Sequence, residues 1–150
     1  MPRPHSEAHG APTASGVIAA EPLAGRVLEQ PDGSFVLAEW RAPGCAPGTE
    51  PQLIAPLHVH HADDEAWYVI DGTLSFKLGD REVAAPTGSA VFAPRGTPHT
   101  FWNPAQEPAR YLLVMTPRIL RLIEAIHELP DRSREALEQV FLNHESELLA

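Results

Sequence analysis

One cysteine, Cys45, stands in the whole sequence, so no internal disulfide can form and nothing points to a secreted disulfide scaffold. Basic residues are scarce as well: 11 Lys and Arg face 20 Asp and Glu, a formal charge of −9. A field of that sign repels phosphate backbones and anionic membrane surfaces, which argues against nucleic-acid and membrane partners. No run approaches the roughly 20 apolar residues that a bilayer-spanning helix needs. A Walker loop, a dinucleotide fingerprint and a nucleophile elbow are all missing. The opening stretch MPRPHSEAHGAPTASG lacks the apolar core of a signal peptide, so the expected location is the cytoplasm. Its prolines and small residues bury little surface, so residues 1–15 are expected to form a disordered tail. His5 and His9 there have no scaffold that would hold them as ligands.

Histidine and proline are in surplus, with 8 and 16 copies. That many prolines imply many turns and few long helices, and surplus histidine directs attention to metal chemistry. The 150 residues, 43% of them hydrophobic, suit one globular domain. From residue 16 to about 116 the chain reads as short strands between turn residues. Ser34–Arg41, Glu65–Ile70, Thr73–Leu78, Ser89–Ala93, His99–Asn103 and Arg110–Met115 are the clearest. Asp71-Gly72 reads as a tight hairpin and Gly79-Asp80 as a second, weaker one. Many short strands at regular spacing predict an all-β sandwich or barrel. Residues 117–150 change to helical spacing. Thr116-Pro117 opens one amphipathic helix along Ile119, Leu122, Ile123, Ile126 and Leu129. Asp131 or Ser133 opens another, with its stripe on Leu137, Val140, Phe141 and Leu148 and His144 in the gap. These one-sided helices must cover the barrel or pack in a dimer contact.

The chemistry concentrates in His58-Val59-His60-His61-Ala62-Asp63-Asp64-Glu65. On an extended strand the imidazoles of His58 and His60 point to the same face. Glu65 opens the next strand and shares its face with Trp67 and Val69, which points its carboxylate inward. An unpaired buried carboxylate costs several kcal/mol unless it is neutralised or meets a cation. His99 starts a further strand. Three neutral imidazoles and one carboxylate converging inside a barrel make a strong site for a divalent transition metal. Asp64 is a weaker substitute for Glu65. His61, Asp63 and Asp64 are expected to be solvated at the barrel mouth, and Cys45 to be an ordinary thiol. Phe35, Leu37, Trp67, Val69, Phe92, Phe101, Leu113 and Met115 are the candidates for the cavity wall.

Here the sequence resembles the cupin superfamily, in particular small single-domain, quercetinase-like cupins. His58, His60, Glu65 and Gly72 fit the first cupin motif, and Gly88, Pro94, Gly96, His99 and Asn103 fit the second. One departure is Gln52, where the family often has a turn-forming glycine. The resemblance implies a double-stranded β-helix, or jelly-roll, barrel over residues 16–116, followed by a helical extension over residues 117–150. It implies one divalent metal per chain (Fe, Mn, Ni, Co, Cu or Zn) held by His58, His60, Glu65 and His99. It also implies a metal-dependent oxidoreductase, a dioxygenase acting on a small aromatic, polyphenol or diketo substrate, with Glu65 as base. The alternatives are a Lewis-acid isomerase, lyase or polyketide cyclase, and a non-enzymatic ligand- or metal-binding module. Barrel edges and an apolar outer face lead to the expectation of a homodimer.

Overall fold

A computed structural model describes residues 22–150; the expected tail over residues 1–15, with His5 and His9, lies outside the described residues. The strands are β1 (Val27–Leu28), β2 (Val36–Ala42), β3 (Leu53–His60), β4 (Glu65–Asp71), β5 (Thr73–Leu78), β6 (Arg81–Pro86), β7 (Ala90–Ala93), β8 (His99–Trp102), β9 (Ala109–Met115) and β10 (Ser146–Leu148). Two helices, α1 (Pro117–Glu128) and α2 (Arg134–Leu142), lie between β9 and β10. The strands form two antiparallel five-stranded sheets, ordered β1-β2-β9-β4-β7 and β10-β3-β8-β5-β6. These are the two walls of a double-stranded β-helix, closed by a C-terminal helical extension.

Alternation decides the inward face. On β2 the buried side chains are Val36, Ala38, Trp40 and Ala42, and on β9 they are Ala109, Tyr111, Leu113 and Met115. With Trp67 and Val69 of β4 and Leu74 and Phe76 of β5 they form one continuous core. Phe35 and Phe92 fall on the opposite phase and are exposed, so neither lines the interior as expected. The second turn expectation holds: β5 and β6 pair antiparallel across Gly79-Asp80. The first does not. β4 pairs with β7 and β9, whereas β5 pairs with β6 and β8, so Asp71-Gly72 is a corner between the sheets and not a hairpin. Gly72 turns it at φ 86°, and a Cβ there would lie 2.9 Å from Ala109 Cα.

Both helices begin where their caps place them. Thr116 Oγ accepts from the Ile119 amide, with Pro117 in the first turn, and Ser133 Oγ accepts from the Ala136 amide. Helix α1 sends Ile119, Leu120 and Ile123 into the barrel core, while Leu122 and Ile126 meet Phe141 of α2 in a second cluster. The second stripe ends earlier than its spacing predicts. Glu145 at φ 55° reverses the chain after α2, and Leu148 lies on β10 instead of on a helix. β10 then pairs with β3, Ser146 opposite His60 and Leu148 opposite His58. No helix among the described residues is long and apolar enough to cross a membrane.

Candidate metal centre

Pro56 interrupts β3, because it brings no amide hydrogen to the ladder. The pairing with β8 slips between Ala55 and His58, and the Pro56 carbonyl lies 2.6 Å from His58 Nδ1. Beyond the slip His58 is paired with His99 of β8. The Pro94–Thr97 turn, pinned to β3 by the Gly96 amide on the His60 carbonyl at 2.7 Å, aims β8 at the same point. Glu65 arrives from the facing sheet. All four side chains are buried, and one ligand atom from each lies within 4.8 Å of the others.

The tautomers follow from the hydrogen bonds, because carbonyls only accept. His58 Nδ1–H donates to the Pro56 carbonyl at 2.6 Å, and His99 Nδ1–H donates to the Thr97 carbonyl at 2.9 Å. Ser146 Oγ–H is committed to the His144 carbonyl at 3.1 Å, so at 2.7 Å it accepts from His60 Nδ1–H. In the neutral rings each Nε2 therefore turns a lone pair inward. His58 and His60 Nε2 are 3.2 Å apart, and Glu65 Oε2 lies 3.1 Å from His60 Nε2 and 3.0 Å from His99 Nε2. Such a group of acceptors repels itself unless a proton or a cation sits among them. Metal–ligand bonds of about 2.0–2.2 Å place ligand atoms roughly 3–4 Å apart, so the four donors fit one divalent ion.

The charges agree. Burial, reinforced by His99 and His60, lowers the His58 pKa to about 3 and keeps its ring neutral. Burial alone would push Glu65 up, but the His60 and His99 rings hold it well below the usual carboxylate range. Burial pulls His99 down, and the Glu65 carboxylate beside it more than offsets this and leaves it raised.

Against His58, His60 and Glu65 lies a cavity with about 20 Å³ open to the centre of a water molecule, walled also by Trp40, Ile54, Trp67, Phe101, Tyr111 and Leu113. Helix α1 closes it with Ile119, Leu122 and Ile123. Trp67, Phe101 and Leu113 are thus wall residues as expected. Trp40, Ile54 and Tyr111 escaped sequence reasoning, although the inward alternation of β2 and β9 includes Trp40 and Tyr111, whereas the three α1 residues lie on the stripe expected to cover the barrel. Trp40 Nε1, Trp67 Nε1 and Tyr111 Oη are buried with no hydrogen-bond partner among the described residues. The expected solvated loop is only partly so. Asp63 is buried and pairs with Arg118 of α1 at 3.2 Å, and exposed Asp64 pairs with Arg95 at 3.3 Å. Asp64 is therefore engaged away from the cluster. His61 is exposed, 3.2 Å from Glu147. His144 donates Nδ1–H to the Val140 carbonyl, and Cys45 is a free thiol outside the cavity. Asn103 is structural: its amide donates to the carbonyls of Ala42, Pro43 and Glu107, tying the loop after β8 to the end of β2.

Residues 47–115 match the family model described as a cupin domain. No curated protein matches the sequence. Among solved structures, a protein from Thermus thermophilus is 29% identical, with 56% of this chain and 73% of that chain covered at a TM-score of 0.46. A conserved protein with a double-stranded β-helix domain from Klebsiella pneumoniae is 25% identical, over 75% of this chain and 82% of its own, at a TM-score of 0.49. A sugar phosphate isomerase from a cupin superfamily, from Silicibacter pomeroyi, is 26% identical over 56% of this chain and 51% of its own, at a TM-score of 0.47. The chain spans about half the length of that last protein.

Proposed function

The chain carries a cupin-superfamily domain, and from that premise we propose that it is a metal-dependent oxidoreductase, a dioxygenase acting on a compact diketo or single-ring aromatic substrate. The observation that carries this is the convergence of His58, His60, Glu65 and His99, lone pairs inward, beside an apolar cavity. A redox-active divalent ion held by His58, His60, Glu65 and His99 would supply Lewis acidity and redox chemistry there. The surrounding residues supply the rest. Among the described residues Glu65 is the only carboxylate on the cavity wall, which makes it the group to take the substrate's proton. The Tyr111 phenol, its pKa raised by burial and by Glu65, stays protonated and with the Trp40 and Trp67 N–H groups offers donors to substrate oxygens. Ile119, Leu122 and Ile123 keep water out. With α1 in place the cavity holds about one water molecule, so any organic substrate requires α1 to move, and compact substrates come first in the test.

In the same proposal the described residues 22–116 form the metal-binding barrel, residues 117–150 cover it and add β10 to its sheet, the protein works as a homodimer, and its location is cytoplasmic. The test is oxygen uptake by Fe(II)-loaded protein offered 1,3-diketones and simple catechols. Consumption of substrate and O₂ together is expected, with none under strict anaerobiosis. Full turnover without oxygen would instead establish the Lewis-acid isomerase, lyase or cyclase, a class that the unpaired Tyr111 and Trp donors also suit. The tight closure by α1 favours a non-enzymatic metal-binding module as a further alternative. Tightly held metal with no turnover of any substrate would identify that case.

A further inference from the structure

The three histidines are not held alike. His58 and His99 each donate Nδ1–H to a carbonyl two residues earlier, Pro56 and Thr97, so their own strands orient them. His60 has no such local acceptor in use. Its Nδ1–H goes to Ser146 Oγ, 86 residues away in sequence, at 2.7 Å. Ser146 is buried, stands directly opposite His60 in the β10–β3 ladder, and has its only proton on the His144 carbonyl. The His61 amide on the Glu145 carbonyl and the Leu149 amide on the Leu57 carbonyl hold β10 in that register. Phe141, at the end of α2, packs its ring 5.5 Å from that of His58.

We propose that Ser146 is a positioning residue of the metal centre: by accepting from His60 Nδ1–H it keeps the His60 Nε2 lone pair free and aimed at the other three ligands. The C-terminal strand is then a component of the site, and not only part of its cover. The proposal rests on reading the four residues as metal ligands. Its chemistry is specific. Without the Ser146 acceptor, a buried Nδ1–H is left unpaired, and the ring gains by moving its proton to Nε2, where Glu65 Oε2 waits 3.1 Å away. That proton occupies the place of the ion, and a metal must displace it to bind.

The test uses the full chain as Ser146→Ala and as Ser146→Cys, which keeps the size and weakens the acceptor. Spectra of ¹⁵N-labelled histidine in metal-free protein should show His60 as the Nδ1–H tautomer in the wild type and shifted towards Nε2–H in both variants. Chelator-competition titrations with Co(II) should show affinity about 10–100-fold weaker in the variants, the usual loss when a ligand's hydrogen-bonding partner is removed. The Co(II) absorption bands should change with it. Wild type that binds Co(II), with variants that bind it as tightly and keep the same His60 tautomer, would overturn this proposal alone. Wild type that takes up no Co(II) overturns the metal-centre reading and this proposal with it.

Discussion

Among the described residues Glu65 is the one carboxylate on the wall of the cavity, and its surroundings define what it can do. Held below the usual carboxylate range by His60 and His99, it is ionised at neutral pH, as a ligand for a cation must be. A strongly acidic group is a weak base, so Glu65 can take only a proton that the substrate gives up readily. Glu65→Gln keeps its shape without its charge. That variant is expected to retain some metal on three histidines and to lose turnover by about 10²-fold or more, read as metal content and rate on one preparation. His58→Ala or His99→Ala should abolish metal uptake in elemental analysis. His61→Ala should leave it nearly intact, because that side chain is exposed and faces Glu147. Acid should weaken the metal-free fold. Folded His58 stays neutral down to about 3, whereas the unfolded chain binds that proton below 6.5, so stability falls as pH drops from 6.5. Glu65, with its lowered pKa, acts in the same direction, its contribution vanishing as pH falls through the folded value. The raised His99 works oppositely, its contribution being complete below 6.5 and lost as pH rises through its folded value. Melting temperatures measured from pH 7 to pH 4 should therefore decline, and a neutral aliphatic residue at His58 should flatten the decline.

At the scale of elements, α1 and β10 complete what the barrel strands leave open. Leu122 bridges the cavity wall and the cluster with Ile126 and Phe141. Leu122→Ala is expected to cost about 2–5 kcal/mol in denaturant unfolding, the range for a buried leucine whose neighbours cannot collapse onto the space. The reach of sequence reasoning divides along the same lines. Local signals were legible: the cap Thr116, Ser133 as one of two candidate caps, the strand Thr73–Leu78 and the convergence of His58, His60, Glu65 and His99 all stand where their residues and spacing place them. Long-range choices were not. A three-residue strand such as Ser146–Leu148 has no periodicity to read, and its partner β3 lies more than eighty residues earlier. Phe92 sits on a strand of only four residues, where alternation does not reveal which phase faces the core. Asp71-Gly72 has hairpin composition, yet the next strand enters the other sheet, and at that corner Ala109 leaves no room for a Cβ on residue 72. The common cause is that composition reports the local turn, and packing across the barrel selects where it leads.

On the outer face of the β1-β2-β9-β4-β7 sheet, the register sets Ala66 beside Phe92 and Val114, and Tyr68 beside Leu112. Phe92 and Tyr68 are exposed, at 58% and 45%. A contiguous apolar surface on a barrel wall favours association, and a two-fold contact would bury it against itself. The net charge of −9 opposes that approach, because two copies of one acidic chain repel at long range until salt screens them. The proposed homodimer therefore has a definite ionic-strength signature. Apolar burial gains little from salt at these concentrations, whereas the repulsion shrinks as the Debye length falls from about 30 Å at 0.01 M to about 8 Å at 0.15 M. Sedimentation or light scattering should find a dimer at micromolar concentration that tightens over that range. A monomer throughout would count against it. Phe92→Glu places a carboxylate in the middle of the patch and should yield monomers, while metal content stays that of the wild type because Phe92 faces away from the cavity. A Phe92→Glu protein that still dimerises would move the contact to another surface, and one that also loses its metal would mean that the substitution disturbed β4 and Glu65 through their pairing with β7.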